Sequence, residues 1–272
     1  MRRRASPRVP SMRRPLRTVI VTLLALWLVV PLVPLVLWAA ASRWSGTAPL
    51  PQDFGVDGWQ EALDTGVIAA LVRSGLLGVA VALIATPLGA MAGRALGWRL
   101  LRRPALPSVV LLGPVVLAPF AVAMGLDVVV LRLGIPGEVA VVLVLSVFAL
   151  PYTTFTMRAT YLGLDPVLEE QARVLGANAR QARLRTTLPA AATGLVTATG
   201  LAFLVGWSDY AVTLLIGGGQ IITAPMLIGS SAAGSGNDAL TSTLALSASL
   251  PPLMALGVFT YAAARRRTAV HT

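Results

Sequence analysis

The chain has 272 residues, 56 % of them hydrophobic and only 12 % charged, with a formal net charge of +11. That mix is too apolar for an ordinary soluble domain, and it suits about six membrane crossings at roughly 20 apolar residues each. There is no Cys and the single His is His271, which excludes disulfides, thiolate metal sites, cysteine nucleophiles and histidine-based triads or metal centres.

All 22 basic residues are Arg. They sit in short segments between apolar runs and are not interleaved with stacking aromatics on one soluble face. The charge therefore speaks for a bilayer with its positive segments inside, and against nucleic acid. Uncharged stretches run over 18–42, 74–93, 104–126, 139–157, 186–208, 210–237 and 239–264. The expected fold class is all-α, a polytopic bundle of six transmembrane helices spanning 18–264.

Residues 1–17 carry seven arginines and no acid, and read as a cytoplasmic tail held near anionic headgroups. Ser11–Leu16 resemble a twin-arginine signal, but the apolar run that follows is about twice the length of a signal core. The first helix is expected to stay uncleaved.

Span one is expected over Thr18–Ser42, bent by Pro31 and Pro34. Arg43–Thr65 holds Asp53, Asp57, Glu61 and Asp64 against one Arg, and is placed outside. Span two follows over Gly66–Ala92, with Arg73 snorkelling near its outer end. Arg94, Arg99, Arg102 and Arg103 mark an inner loop. Span three is expected over Pro107–Leu131, an outer turn over Arg132–Glu138, and span four over Val139–Met157.

Residues 158–189 form the long polar inner segment. Span five is expected over Ala190–Ile216, a Gly-rich outer region over Gly217–Asp238, and span six over Ala239–Ala264. Arg265–Arg267 stop the last span, and 265–272 form a cytoplasmic tail. Inner segments then hold 19 of the 22 arginines, so both termini lie in the cytoplasm and the number of spans is even.

The inner segment has its own helical pattern. Asp165–Pro166 read as an N-cap and first helical residue, with Glu169 and Glu170 in the favourable first turn. Ala172, Val174 and Leu175 supply apolar contacts until Gly176, which suits a left-handed helix end. A second short helix is expected over Asn178–Thr187, carrying Arg180, Arg183 and Arg185. Pro189 suits the first turn of span five.

Glu170-Gln171-Ala172, three residues, Gly176, nine residues, Thr186, one residue, then Leu188-Pro189 resembles the EAA motif of the permease subunits of binding-protein-dependent ABC importers. Gln171 stands where Ala is usual and Thr186 where a branched apolar residue is usual, without changing the spacing. Arg73-Ser74-Gly75-Leu76 through Pro87-Leu88-Gly89 is similar to the family's second helix. Trp207-Ser208-Asp209-Tyr210 with Thr213-Leu214-Leu215, and Asn237-Asp238-Ala239-Leu240, look like the branch serving polyamine, ferric iron and thiamine importers. The resemblance covers roughly 65–264.

The resemblance implies a type I importer permease that carries no cofactor and performs no chemistry, hydrolysis being left to separate ABC ATPase subunits. It also implies a second permease subunit, the same or paralogous, and an extracytoplasmic substrate-binding protein, all in or on a bacterial inner membrane. The coupling residues it implies are Glu169, Glu170, Ala172, Gly176, Ala177, Asn178, Leu188 and Pro189. Glu170 would touch the ATPase, Gly176 would make the bend, and Ala177 and Asn178 would form the inserted tip.

Two acids fall inside the expected spans, Asp127 and Asp209. Intramembrane charge costs a few kcal/mol and usually faces a cavity or the bundle interior. Asp209, with Trp207, Ser208 and Tyr210, is the candidate for a substrate pathway. Its structural alternative is an interhelical hydrogen bond or an ion pair, for example with Arg73. Asp127 stands five residues before Arg132 and reads as interfacial. A carrier driven by ion gradients through Asp127 and Asp209 is the competing function. A membrane-embedded enzyme is disfavoured, because no nucleophile–base pair or metal cluster is present. Gly217–Gly219 lack the Gly-Lys-Ser/Thr of a phosphate loop and read as an outer turn.

Overall fold

Backbone placed in hydrocarbon has to satisfy its own N–H and C=O groups, and this chain does so almost wholly as helix. The computed structural model describes residues 14–44, 48–234 and 237–269. The basic segment before residue 14, and His271, lie outside the described residues.

A first helical arm is broken at Pro31 into α1 (Arg14–Val29) and α2 (Leu32–Ala39), bent by 42°. A small antiparallel pair follows, β1 (Ala41–Arg43) with β2 (Asp53–Phe54), which the all-α reading did not include. A short helix, α3 (Asp57–Asp64), leads through the left-handed Gly66 into α4 (Val67–Gly97). Next come α5 (Ala105–Val116), α6 (Pro119–Leu133) and α7 (Gly137–Leu162).

The polar segment after α7 contains α8 (Val167–Val174), α9 (Ala179–Ala182), a π-helical turn (Arg183–Thr187) and α10 (Leu188–Ala190). The remaining helices are α11 (Ala192–Ser208), α12 (Ala211–Ile216), α13 (Ala224–Gly234) and α14 (Asp238–Ala269). Among the described residues two helices, α4 and α7, are each long and apolar enough to cross a bilayer, or up to five if each of three bent pairs is one span. At 32 residues, α14 has the length for a further crossing and continues past the expected stop at Arg265–Arg267.

Besides span one, two further expected spans are not continuous. Span three is α5 and α6, which meet at 99°. Leu117 and Ala118 are extended there, with ψ of 140° and 124°, because Pro119 disfavours helical geometry in the residue before it and restarts the helix at its own first position. Span five is also broken: α11 ends at Ser208, and Asp209 is extended with ψ 133° before α12 begins. Apolar periodicity does not show either break, since both sides of each remain apolar.

Helices α4, α7 and α11 pack together at the centre, around Leu77, Val81, Ala85, Val141, Leu145 and Ala202. Lipid tails are as apolar as Leu, so the contacts rely on close approach at small residues. Gly89, Gly93 and Gly97 repeat at the small-xxx-small spacing along the face of α4 toward α7. A Cβ on Gly93 would stand 2.6 Å from Met157 Cβ and 2.8 Å from Arg158 N, and one on Gly97 would stand 2.8 Å from Tyr161 Cβ. A Cβ on Gly89 would overlap Thr153, whose hydroxyl donates to Ala85 O across the same interface at 3.2 Å. On the α11 side, a Cβ on Gly206 would come within 2.8 Å of Gly78 Cα. This packing carries α4 five residues beyond the expected end of span two, so Arg94 is helical rather than part of a loop.

The contact geometry predicts a contrast between two glycines. Gly93→Leu should lower the stability of the purified protein by about 1–3 kcal/mol through overpacking, read as a reduced thermal midpoint in detergent. Gly113→Leu, at a position where a Cβ meets nothing within 4 Å, should leave the midpoint near that of the parent.

Candidate functional site

The polar segment after α7 folds as a hairpin whose two limbs are α8 and the run from α9 to α10. The second limb meets α11 at 77°, so it lies across the end of the bundle instead of prolonging it. Asp165 Oδ1 accepts from Val167 N–H at 3.0 Å and caps α8. Helix α8 ends in a Schellman turn: Gly176 N–H donates to Arg173 O and Ala177 N–H to Ala172 O, both at 3.0 Å. Gly176 has φ +93°, the left-handed value that this turn requires.

Asn178 then starts α9 with a reciprocal capping box. Its Oδ1 accepts from Gln181 N–H at 2.8 Å, and Gln181 Oε1 accepts from Asn178 N–H at 3.0 Å. The motif spacing therefore has a physical content. Ala172 and Gly176 are the paired positions of one helix stop, and Asn178 is the next helix start.

The hairpin has an inverted polarity. Val174 and Leu175, expected to make apolar contacts, are 87 % and 88 % exposed at the tip. Glu169, expected among the coupling residues, is buried. Its Oε2 accepts from Arg94 at 2.7 Å and from the Thr187 hydroxyl at 3.3 Å, while Arg183 Nε lies 3.9 Å from its other oxygen. The Arg94 guanidinium also lies over the Trp98 ring at 4.7 Å, and Trp98 Nε1 donates to Tyr161 O and Leu164 O.

The two glutamates thus have different settings, since Glu170, one helical step on, is exposed. It shares an open concavity of about 460 Å3 with Arg173, Val174, Ala177, Asn178 and Ala179. Leu188 and Pro189 are exposed at the base of the second limb, and Ala172 is half-buried. The structure brings Glu170, Ala177 and Asn178 together on one face and turns Glu169 away from it. Arg94 and Thr187, which hold Glu169, carry no motif signal of their own, because the interaction joins residues 75 and 18 positions apart.

The other candidate group surrounds the break in span five. Asp209 makes no ion pair with Arg73. Its Oδ2 accepts from Thr213 N–H at 2.8 Å and from the Thr213 hydroxyl at 3.0 Å, capping the free N-terminus of α12. Trp207, expected beside a pathway, is buried and donates to Ala248 O at 3.2 Å, stacked on Phe203. It joins α11 to α14 because indole N–H needs an acceptor in an apolar interior. Ser208 is exposed, its hydroxyl donating to Leu204 O at 2.7 Å. Tyr210 is exposed on one side, with its ring against Gly229 of α13. Asp127 lies half-buried on α6. Among the described residues, no cluster of three or more His, Cys, Asp or Glu stands where it could hold a metal ion.

A membrane helix bundle with a helical hairpin laid across one end has counterparts among known proteins. The family described as "Binding-protein-dependent transport system inner membrane component" matches residues 5–270. The chain belongs to this family of inner-membrane transport components.

It is similar to the "Trehalose transport system permease protein SugB" of Mycobacterium tuberculosis (strain CDC 1551 / Oshkosh), 34 % identical over 172 residues, a match that spans 59 % of this chain and 59 % of that protein. A solved structure described as that of "a bacterial ABC transporter involved in the import of the acidic polysaccharide alginate" shares the fold. Its TM-score is 0.65 at 16 % identity, over 93 % of this chain and 99 % of that one. Neither description names a polyamine, ferric iron or thiamine, so that branch stands on the Trp207–Tyr210 and Asn237–Leu240 resemblance alone.

The cap at Asp209 yields a graded expectation. Asp209→Ala should cost about 0.5–2 kcal/mol, the usual range for loss of an N-cap acceptor, seen as a lower thermal midpoint. Asp209→Asn keeps one acceptor oxygen and should stay near the parent value.

Proposed function

We propose that the chain is the membrane-spanning permease subunit of an ABC importer, with the hairpin as its docking element for a separate ATPase. The observation that carries this reading is the exposed apolar tip, Val174 and Leu175, on a hairpin whose turn is fixed by two caps and whose base is locked by a buried carboxylate. Leaving two large apolar side chains in water forgoes about 1.5–3 kcal/mol of burial for each. A soluble face so arranged suits a groove on a partner. Glu170 and Asn178 rim the tip and supply hydrogen bonds to that groove, and Ala177 lets it approach closely.

A second permease subunit and an extracytoplasmic binding protein complete the proposed assembly, in a bacterial inner membrane with six spans and both termini cytoplasmic. Where α11 breaks, Ser208, Asp209 and Tyr210 border the substrate pathway, and Trp207 supports them from behind.

The solute has two readings with separate support. Similarity to a trehalose permease favours a sugar. The Trp207–Tyr210 and Asn237–Leu240 segments resemble the polyamine, ferric iron and thiamine branch. We take the sugar as the main reading, since it rests on aligned sequence over 172 residues rather than on two short segments. Uptake of labelled trehalose by proteoliposomes carrying the whole assembly, with putrescine as comparison, separates the two.

The orientation is open to reporter fusions. Fusions after Arg99, near Gly176 and at the C-terminus should all report cytoplasm, and a fusion near Asp57 should report the periplasm. Arg99 and Asp57 on the same side would contradict it.

Docking is tested at Gly176. A Cβ there meets nothing within 4 Å, so the penalty of Gly176→Val is the left-handed backbone alone, about 1–2 kcal/mol. Membrane abundance should stay near normal while co-purification of the ATPase falls, because the Schellman turn re-aims Leu175 and Ala177. Unchanged ATPase binding and transport at normal abundance would remove the hairpin from the coupling role.

A further inference from the structure

Covalently, the hairpin joins α7 at one end and α11 at the other. Helix α4 reaches it through side chains. At the inner end of α4, Arg94 pairs with Glu169 at 2.7 Å, and Trp98 grips the α7–hairpin junction through Tyr161 O and Leu164 O. The same Glu169 carboxylate accepts from Thr187, so both limbs of the hairpin and α4 meet at one group. Arg94 is preset for this, its guanidinium lying on the Trp98 ring. From Arg94, α4 runs unbroken past Pro87 to Ser74, whose hydroxyl accepts from the N–H of Ala224 at the start of α13 at 2.9 Å. The 20 helical steps from Ser74 to Arg94 span about 30 Å at about 1.5 Å each.

We propose that Glu169 and Arg94 form a strut, made throughout the transport cycle, that passes displacement of the hairpin into α4, and that Glu169 does not touch the ATPase. This rests on the reading of the hairpin as an ATPase-docking element. Glu169 is a positioning residue: it acts through Arg94. Its burial removes it from the docking face that Glu170 occupies, and its ion pair has water on one side only, with side-chain exposures of 25 % for Arg94 and 11 % for Glu169. A charge pair so placed resists separation far better than an exposed one. Without it, the hairpin would still fold, because its caps at Asp165, Gly176 and Asn178 are independent of Arg94. Motion of its tip would then reach α4 only indirectly, through α7 and α11 packed against it and through Trp98.

The test uses the assembled complex and needs no solute. The sequence contains no cysteine, so Ile68→Cys, at an exposed position near the outer end of α4, is its single thiol. Its rate of labelling by a membrane-impermeant maleimide is measured without nucleotide and with ATP plus vanadate, alongside ATPase co-purification, ATP hydrolysis and membrane abundance. In the parent, nucleotide should change the rate at least about threefold. Adding Glu169→Gln or Arg94→Gln should shrink that change below about 1.5-fold, with ATPase co-purification and hydrolysis within about twofold of the parent. Arg94→Lys, which keeps the charge and guards against a folding defect, should retain at least half of the response.

A full nucleotide response in both Gln variants would overturn the strut, as would a parent that binds the ATPase but shows no response at Ile68→Cys. Loss of ATPase in Glu169→Gln but not in Arg94→Gln would make Glu169 a docking contact and overturn it as well. A parent that binds no ATPase is a different failure, that of the docking reading itself, and would take the strut with it.

Discussion

Helices in a bilayer gain little from hiding apolar surface from one another, so their association depends on how closely their backbones can approach. In this chain the approach is set by Gly89, Gly93 and Gly97 of α4 against Thr153, Met157 and Tyr161 of α7. The consequence extends past the membrane. Because α4 follows α7 to Gly97, Arg94 ends up beside the start of the hairpin that α7 delivers, within 2.7 Å of Glu169. Lengthening any of those glycines by one carbon would push apart the two helices that meet there. The hairpin site therefore depends on a contact made along the bundle.

The hairpin itself reverses the usual arrangement of a surface element. Its charged Glu169 is buried at the base, and its Val174 and Leu175 stand in the open at the tip. A solvated amphipathic hairpin with no partner would show the opposite pattern, with Leu and Val turned to the bundle and both glutamates in water. The caps explain how such a tip is held. Ala172 and Gly176 close one helix, and Asn178 and Gln181 open the next, so four residues between them present the tip at a fixed angle without packing it on anything. Stiffness is obtained from the hydrogen bonds of the two caps, which leaves the apolar side chains in the open.

Much of this was legible in the sequence because the signals are local. Charge-free runs and the distribution of arginines mark membrane segments, and capping chemistry at Asp165, Gly176 and Asn178 marks the hairpin to within a residue or two. Two kinds of feature were not legible. The 99° break before Pro119 and the break at Asp209 interrupt runs that stay apolar on both sides, so periodicity reads through them; Pro119 was the available clue for the first, and the Asp209–Thr213 spacing of a cap for the second. The partner of Glu169 was hidden because adjacent glutamates look alike in sequence, while only the path of α4 decides which of them meets Arg94. The acceptor of Trp207 was hidden for the same reason, Ala248 being 41 residues away.

What distinguishes an importer subunit from any other helical bundle with a polar hairpin is whether the tip of that hairpin enters an ATPase. A photoreactive cross-linker placed on Leu175→Cys, in a chain that contains no other thiol, reports this in the membrane. Irradiation should give a cross-link to the ATPase subunit from Leu175→Cys, and none from Leu112→Cys on α5. A Leu175→Cys adduct confined to lipid, or formed with a protein of the opposite side of the membrane, would contradict the placement of the hairpin and the function built on it.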